Sequence, residues 1–255
     1  MPSPAPLTVQ PIHFTSDYAI WREFYLKLGL HPTTANDPMV TILAADSGQL
    51  MLAEVPADHR LDGVRLVEFT VPDVDAHAEA LEKAGTAAPR VQLAHRDQSN
   101  IALDLPQGRV HIGQHLTTAG ATLFDPAGLN IGALLYCPTE MVAAGAQQLA
   151  PYGLSPRIAS DNGGWTDLTG NGVLAFHDSE LHTVSNDAPN QPVVQVFGET
   201  GDVVGLASDL EDRGQEATVI DESYGRSLRV TQPDDQQLYI NETMDDLYGY
   251  HRLNA

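Results

Sequence analysis

One order of signals recurs four times along this chain: a short apolar strand, a helix that stops at a glycine, and then short strands divided by turn residues. The copies begin near residues 7, 64, 131 and 192. A unit of this βαβββ kind leaves one sheet face bare, so units must pair and curl their sheets around a shared hollow. The fold expected is α+β, with four βαβββ units forming two cup-shaped mixed sheets and helices on the outer faces. Periodicity lapses over TTAGATLFDPAGLN, residues 117–130, which reads as a linker between a first domain, 1–116, and a second, 131–255. Pairing of the first unit with the fourth and the second with the third is the alternative arrangement.

In the first unit a strand over Val9–Thr15 leads to Ser16 or Asp17, either able to cap a helix, and Trp21, Phe24, Tyr25 and Leu28 share one helical face before Gly29. Strands over Met39–Ala45 and Gln49–Val55 follow. The second unit runs from Arg65–Val71 through PDVDAHAEALEKAG to strands near Val91, at Ile101–Leu103 and at Val110–Gln114. The third opens with Ile131–Cys137, continues in a helix from Pro138 and Thr139 to Leu149, and has strands at Trp165–Leu168 and Val173–His177. In the fourth, Val193–Phe197 precedes a helix with Val203, Leu206, Ala207 and Leu210 on one face, then strands at Ser227–Thr231 and Gln237–Asn241. Pro2, Pro4 and Pro6 mark the first residues as a frayed arm.

Three segments carry a resemblance to a known family. TSDYAIWREFYLKLGL and FTVPDVDAHAEALEKAG are similar to strand–helix junctions of the vicinal oxygen chelate superfamily, and YGRSLRVTQPDDQQLYINE resembles its last two strands. That superfamily includes glyoxalase I, bleomycin-resistance proteins and extradiol dioxygenases, so the resemblance implies the paired-cup fold without fixing a function. It also implies where metal ligands would stand: a His at the start of a unit's first strand and a Glu on its last strand. Those first-strand positions fall on Gln10, Leu66, Gly132 and Gln195, and the last-strand positions on Leu52, Ile112 or His111, Phe176 and Tyr239. Amide oxygens are weak ligands for divalent transition metals and aliphatic side chains are none. The expectation is therefore a chain with no metal and no other cofactor.

Other residues offer chemistry outside that pattern. His111 and His115 share one strand face, and His13 enters the cup if the register slips by one residue. His77 reads as part of a solvated helix face, and His31, His59 and His95 lie beside turn residues. Glu68 stands mid-strand in the apolar LVEFTV, on the face of Leu66 and Thr70. It is either a carboxylate that grips a basic ligand or acts as a base, or a half-exposed residue paired with a neighbouring Arg. Glu54, before Pro56, suits a rim. Phe14, Tyr136, Phe197 and Tyr239 share the cup-facing parity, and Trp165 follows DNGG, a turn and lid at the lip of the second cup. Their rings suit a flat, partly apolar ligand, and core filling is the plainer reading of Phe14 and Phe197. The candidate ligand-binding set is Gln10, Phe14, Glu68, Thr70, Tyr136, Trp165, Gln195, Phe197 and Tyr239. Cys137 has no adjacent basic residue to activate it, and nothing resembling GxSxG is present.

Thirteen Lys and Arg against 34 Asp and Glu give a formal charge of −21, which repels nucleic acid and anionic lipid and is compatible with plain solubility or a taste for cations. The single cysteine excludes an internal disulfide, and the start lacks a basic, apolar leader, so the expected compartment is cytoplasmic. The function expected is a glyoxalase- or bleomycin-resistance-like monomer or homodimer that binds a small, cationic or aromatic molecule without a metal. The alternatives are a metal-dependent lyase or dioxygenase with relocated ligands, a metal-independent isomerase using Glu68 or Tyr239, and a structural or regulatory partner protein.

Overall fold

The computed structural model describes residues 4–33, 40–94, 97–106, 108–116, 122–179 and 193–253. His95 and residues 117–121 of the expected linker lie outside them. The first unit contains β1 (Thr8–Thr15), α1 (Tyr18–Lys27), β2 (His31–Pro32), β3 (Val40–Ala44) and β4 (Gln49–Glu54). The second contains β5 (Arg65–Val71), α2 (Val74–Lys83), β6 (Arg90–Val91), β7 (Asn100–Leu105) and β8 (Gly108–Gln114). The third contains β9 (Asn130–Cys137), α3 (Thr139–Leu149), β10 (Ser155–Ser160), β11 (Trp165–Gly170) and β12 (Gly172–Asp178). The fourth contains β13 (Val193–Thr200), α4 (Val203–Asp212), β14 (Ala217–Glu222), β15 (Gly225–Thr231) and β16 (Gln237–Glu242), and β17 (Tyr250–Arg252) closes the chain.

Local chemistry sets the helix ends. The Asp73 carboxylate accepts from the Asp75 and Ala76 amides and Asp202 from the Gly205 amide, each answering amides that an α-helix leaves unbonded at its start. α1 differs from expectation: Asp17 holds the cap position without a side-chain bond, because Ser16 is drawn to Asp62, its amide 2.7 Å from Oδ1.

Consecutive units share a sheet. The first has strand order β2-β3-β4-β1-β5-β8-β7-β6 and the second β14-β15-β16-β13-β9-β12-β11-β10-β17. At the centre of each, two first strands run antiparallel (β1 with β5, β9 with β13), and each is flanked by the parallel last strand of its own unit. The hydrophobic layers follow the other pairing. One joins Val9, Phe69 and α2 to Leu135 and α3, and the other joins Leu52 and α1 to Val196 and α4. Sheets thus unite neighbours in sequence, whereas cores unite the second unit with the third and the first with the fourth. The convex faces of both sheets and all four helices meet in these layers, so the two concave faces look away from each other.

Hydrogen bonds at one turn also tie the halves together. The Asn171 Oδ1 accepts from the Gly48 amide at 2.7 Å, its Nδ2 donates to Thr8 Oγ1 at 3.0 Å, and its main chain brackets Leu7 and Val9. Leu7, where the first unit begins, is fully buried and its amide donates to the Gly153 carbonyl.

Candidate functional site

The alternation of side chains along each strand assigns the expected residues to the two hollows. On β1 and β5 the odd positions Val9, Val67 and Phe69 enter the hydrophobic layer, which turns Gln10, Ile12, Phe14, Leu66, Glu68 and Thr70 into the first cup. On β9 and β13, Ala133, Leu135, Val194 and Val196 enter the layers, which turns Gly132, Leu134, Tyr136, Gln195 and Phe197 into the second. The nine candidate residues therefore divide. Gln10, Phe14, Glu68 and Thr70 belong to one cup, and Tyr136, Trp165, Gln195, Phe197 and Tyr239 to the other. A carboxylate at position 68 and the main aromatic set do not meet.

The first cup has a polar floor under an apolar rim. Ile12, Ile42 and Met51, with Phe14, Leu66 and Leu116 against them, form the rim. Below it Gln10 lies opposite Glu68 and Thr8 opposite Thr70 in the antiparallel ladder, all of them buried. Glu68 Oε1 accepts from Asn100 Nδ2 at 3.0 Å, and the pair fills the space where a side chain on Gly113 would stand. His115 Nε2 lies 3.1 Å from Thr8 Oγ1. Burial depresses the basicity of both His111 and His115.

The second cup is aromatic. Trp165 meets Phe197 and His177 edge-on at 5.7 Å, and Tyr136 lies 5.9 Å from His177. The Tyr136 hydroxyl donates to Gln195 Oε1 at 3.1 Å, and burial together with nearby Tyr239 raises its pKa. Tyr239 is the open part of this wall, 36% exposed, with the Arg229 guanidinium 5.4 Å from its ring centre. Trp165 is not at the lip. It is buried and donates through Nε1 to Asp167, because its parity on β11 aims it into the cup floor.

That floor is closed by an internal ion network. Arg157 on β10 donates through Nε and Nη2 to the two oxygens of Asp167, at 2.8 and 2.9 Å, and through Nη1 and Nη2 to the two oxygens of Glu199, at 2.6 and 2.7 Å. Phe124 covers the guanidinium at 4.6 Å. Burial alone would weaken the charged form of Arg157, but the two carboxylates more than reverse this and hold its pKa above the ordinary value. Sequence reasoning passed over all three residues. Glu199 shares the parity of Gln195 and Phe197 and Asp167 that of Trp165, which could have marked the two acids, whereas Arg157 lies in SPRIAS, which has no strand signal of its own.

The positions that the resemblance assigns to metal ligands do not fit a metal. Leu52, Ile112 and Phe176 point into the hydrophobic layers, so in the first and third units the cup-facing residues of the last strand are their neighbours, His177 among them, in the second the alternative His111 holds, and in the fourth Tyr239 keeps its place. Gln10 and Gln195 supply only amides, Tyr239 only a phenol, and Leu66 nothing. Gly132 cannot carry a ligand, because a Cβ there would lie 1.6 Å from the Val173 carbonyl oxygen. Among the described residues no three His, Cys, Asp or Glu converge on a point. His13 faces the helix layer, 3.0 Å from the Tyr25 hydroxyl, so the one-residue slip into the cup does not occur. His77 is buried rather than solvated, since the short turn of residues 150–152 covers α2. Two other hollows, of about 620 and 590 Å³, lie beside Tyr224 and Tyr248 and beside Pro4 and Leu123, and neither is lined by Tyr136, His177, Gln195 or Tyr239.

No protein-family model matches the chain, and no curated protein does. Solved structures do. The Mn(II)-bound glyoxalase from Novosphingobium aromaticivorans superposes with a TM-score of 0.57 at 13% identity, covering 96% of this chain and 84% of the other. A catechol 2,3-dioxygenase gives 0.57 at 15% identity over 97% and 96% of the two chains. Homoprotocatechuate 2,3-dioxygenase from Brevibacterium fuscum, in complex with 3,4-dihydroxyphenylacetate, gives 0.55 at 15% identity over 94% and 80%. With its paired cups and repeated βαβββ order, the chain has the fold of the vicinal oxygen chelate superfamily, the one shared by these glyoxalases and dioxygenases.

Proposed function

We propose that this protein binds a flat, partly apolar organic molecule in the second cup without a divalent metal. The observation that carries this reading is the Tyr136–His177–Trp165–Phe197 wall, open at Tyr239, with Gln195 and Tyr239 at positions where the resemblance implies ligands. Rings at these separations offer edges and faces to a planar guest, while Gln195 and the two phenols supply hydrogen bonds that fix its orientation. Arg157 is already saturated by Asp167 and Glu199, so the floor offers a ligand no free guanidinium. A structural neighbour holds 3,4-dihydroxyphenylacetate, a flat phenolic acid, which makes phenols a reasonable first probe class. The aromatic half of the expected ligand keeps its support. The cationic half loses Glu68 as an anchor in this cup, because that residue lies in the other one, and rests on the net charge of −21.

The test uses Trp165, one of two tryptophans in the chain, as an internal reporter. Titration with acidic, neutral and cationic flat aromatics is expected to quench its fluorescence saturably, with the same affinity with and without a chelator. Tyr239→Ala and Gln195→Ala should each weaken binding about tenfold, which is 1.4 kcal/mol. Near-stoichiometric Mn, Fe, Ni or Zn in protein purified without chelator, with binding lost on its removal, would favour the metal-dependent lyase or dioxygenase instead. Absence of saturable binding across the panel would remove the reading.

A further inference from the structure

We propose that the hollow beside Tyr224 and Tyr248 is a second binding site, separate from both cups, for a small organic cation of the substituted-ammonium class. The inference goes beyond the function proposed above and does not depend on it, since the hollow shares no lining residue with the aromatic wall of the second cup.

Two stretches of the fourth unit build most of this hollow. The turn between β14 and β15 supplies Tyr224 and Arg226, and the end of β16 with the segment beyond it supplies Glu242, Asp245, Asp246 and Tyr248. Its volume of about 620 Å³ is that of a small-molecule site. The walls are tied in place. The Thr243 amide donates to the Thr200 carbonyl at 2.9 Å and its hydroxyl to the Pro126 carbonyl at 3.0 Å, while the Tyr224 ring meets Tyr250 edge-on at 6.3 Å.

The charges around the hollow do not balance. Arg226 is committed to Glu242, with Nε 2.7 Å from Oε2 and Nη2 bonded to Oε1, and the charges of Asp221 and Asp202 act on the same guanidinium. Asp245 and Asp246 are exposed and have no hydrogen bond or ion pair among the described residues. Such a pair alone means little on a chain of charge −21. The rings beside it set this place apart. Tyr248 is 83% exposed, and its side chain makes no hydrogen bond or ring contact among the described residues, while Tyr224 is half-buried on the same hollow. Aromatic faces attract cations, most of all those whose charge is spread over methyl or methylene groups, and neighbouring carboxylates answer the charge itself. A neutral guest would forgo both attractions, an anion would be repelled, and a bare metal ion would use the carboxylates and ignore the rings.

The experiment is calorimetric titration of the wild-type protein with choline and tetraethylammonium, with 3,3-dimethylbutanol, the uncharged isostere of choline, and calcium as controls. Saturable binding of at least one ammonium is expected, about tenfold or more tighter than that of the alcohol. It should weaken about three- to tenfold in Tyr248→Ala, recover in Tyr248→Phe, and weaken about tenfold when Asp245→Asn and Asp246→Asn are combined. All three positions are exposed, so the variants should melt with the wild type. Tyr239→Ala, which opens the second cup, should leave ammonium binding intact. The proposal is overturned if choline and its isostere bind equally, if Tyr248→Ala or the double Asp variant binds as the wild type does, or if no ammonium binds saturably. Calcium binding that is lost in the double Asp variant and untouched by Tyr248→Ala, with no ammonium bound, would leave only an acidic patch. Loss of choline binding in Tyr239→Ala would move the cation to the second cup and equally overturn the assignment.

Discussion

At position 132 the chain runs so close to the Val173 carbonyl that no side chain fits, although that is the place where the resemblance implies a metal-binding His. Gly132→Ala should force β9 and β12 apart and cost upwards of about 3 kcal/mol, read as loss of soluble protein or a steep fall in thermal midpoint. Gly132→His should fare no better and bind no metal. Arg157 poses the opposite case, a full-sized side chain that cannot be shortened. Its removal leaves Asp167 and Glu199, 1% and 5% exposed, without their shared cation. Arg157→Ala is expected to lose about 3–5 kcal/mol in urea unfolding, with partial recovery when Glu199→Gln is added, because the penalty is uncompensated buried charge. A loss below about 1 kcal/mol would mean that water enters the network.

Between β1 and α1, His13 is fully buried against Trp21 and Tyr25, and burial, reinforced by Arg65, lowers its pKa to about 3. Burial lowers the pKa of His77 on α2 as well. Both are depressed below the unfolded value, so the unfolded chain takes up protons that the folded one refuses. For His13 this stabilisation is whole above about pH 6.5 and is lost as pH falls toward 3, at roughly 1.4 kcal/mol per pH unit while the group stays neutral when folded, and His77 acts in the same direction. Urea midpoints from pH 7 to 4 should therefore fall less steeply in His13→Gln than in wild type, and equal slopes would dismiss His13 as the source. The helices themselves were legible, because caps such as Asp73 and helix-stopping glycines act locally. Last-strand register was not. The runs LMLA and VHIG are apolar at both parities or nearly so, and only packing decides that Leu52 and Ile112 turn inward. β10 and β17 escaped notice for a related reason: SPRIAS and YHR carry little alternation of their own, and they are strands because β10 pairs with β11 and β17 with β10. His77 was misread because its cover, the turn of residues 150–152, comes from the third unit, far along the chain.

For the molecule as a whole, each hydrophobic layer draws on both halves, so neither half buries its helices alone. Unfolding should be a single cooperative transition, reported at the same urea concentration by Trp21 in the first half and Trp165 in the second when each is studied with the other replaced by Phe. Two separated midpoints would show that the sheets are stable independently. The turn that joins the halves has a chemical side as well. Asn171 is followed by Gly172, the dipeptide whose amide side chain cyclises and deamidates most readily when the backbone is free to bend, and Asn162–Gly163 is a second copy in an exposed turn. Asn171 is held by Thr8, Gly48 and its own main-chain bonds, so it can react only when the halves part. On storage, peptide mapping should find Asn162 converting early and Asn171 late. Once Asn171 becomes Asp, its carboxylate has lost the donor to Thr8 and must be buried to close the joint again. The seam is therefore a clock of molecular age, in which each rare opening risks a covalent change that makes the next opening easier.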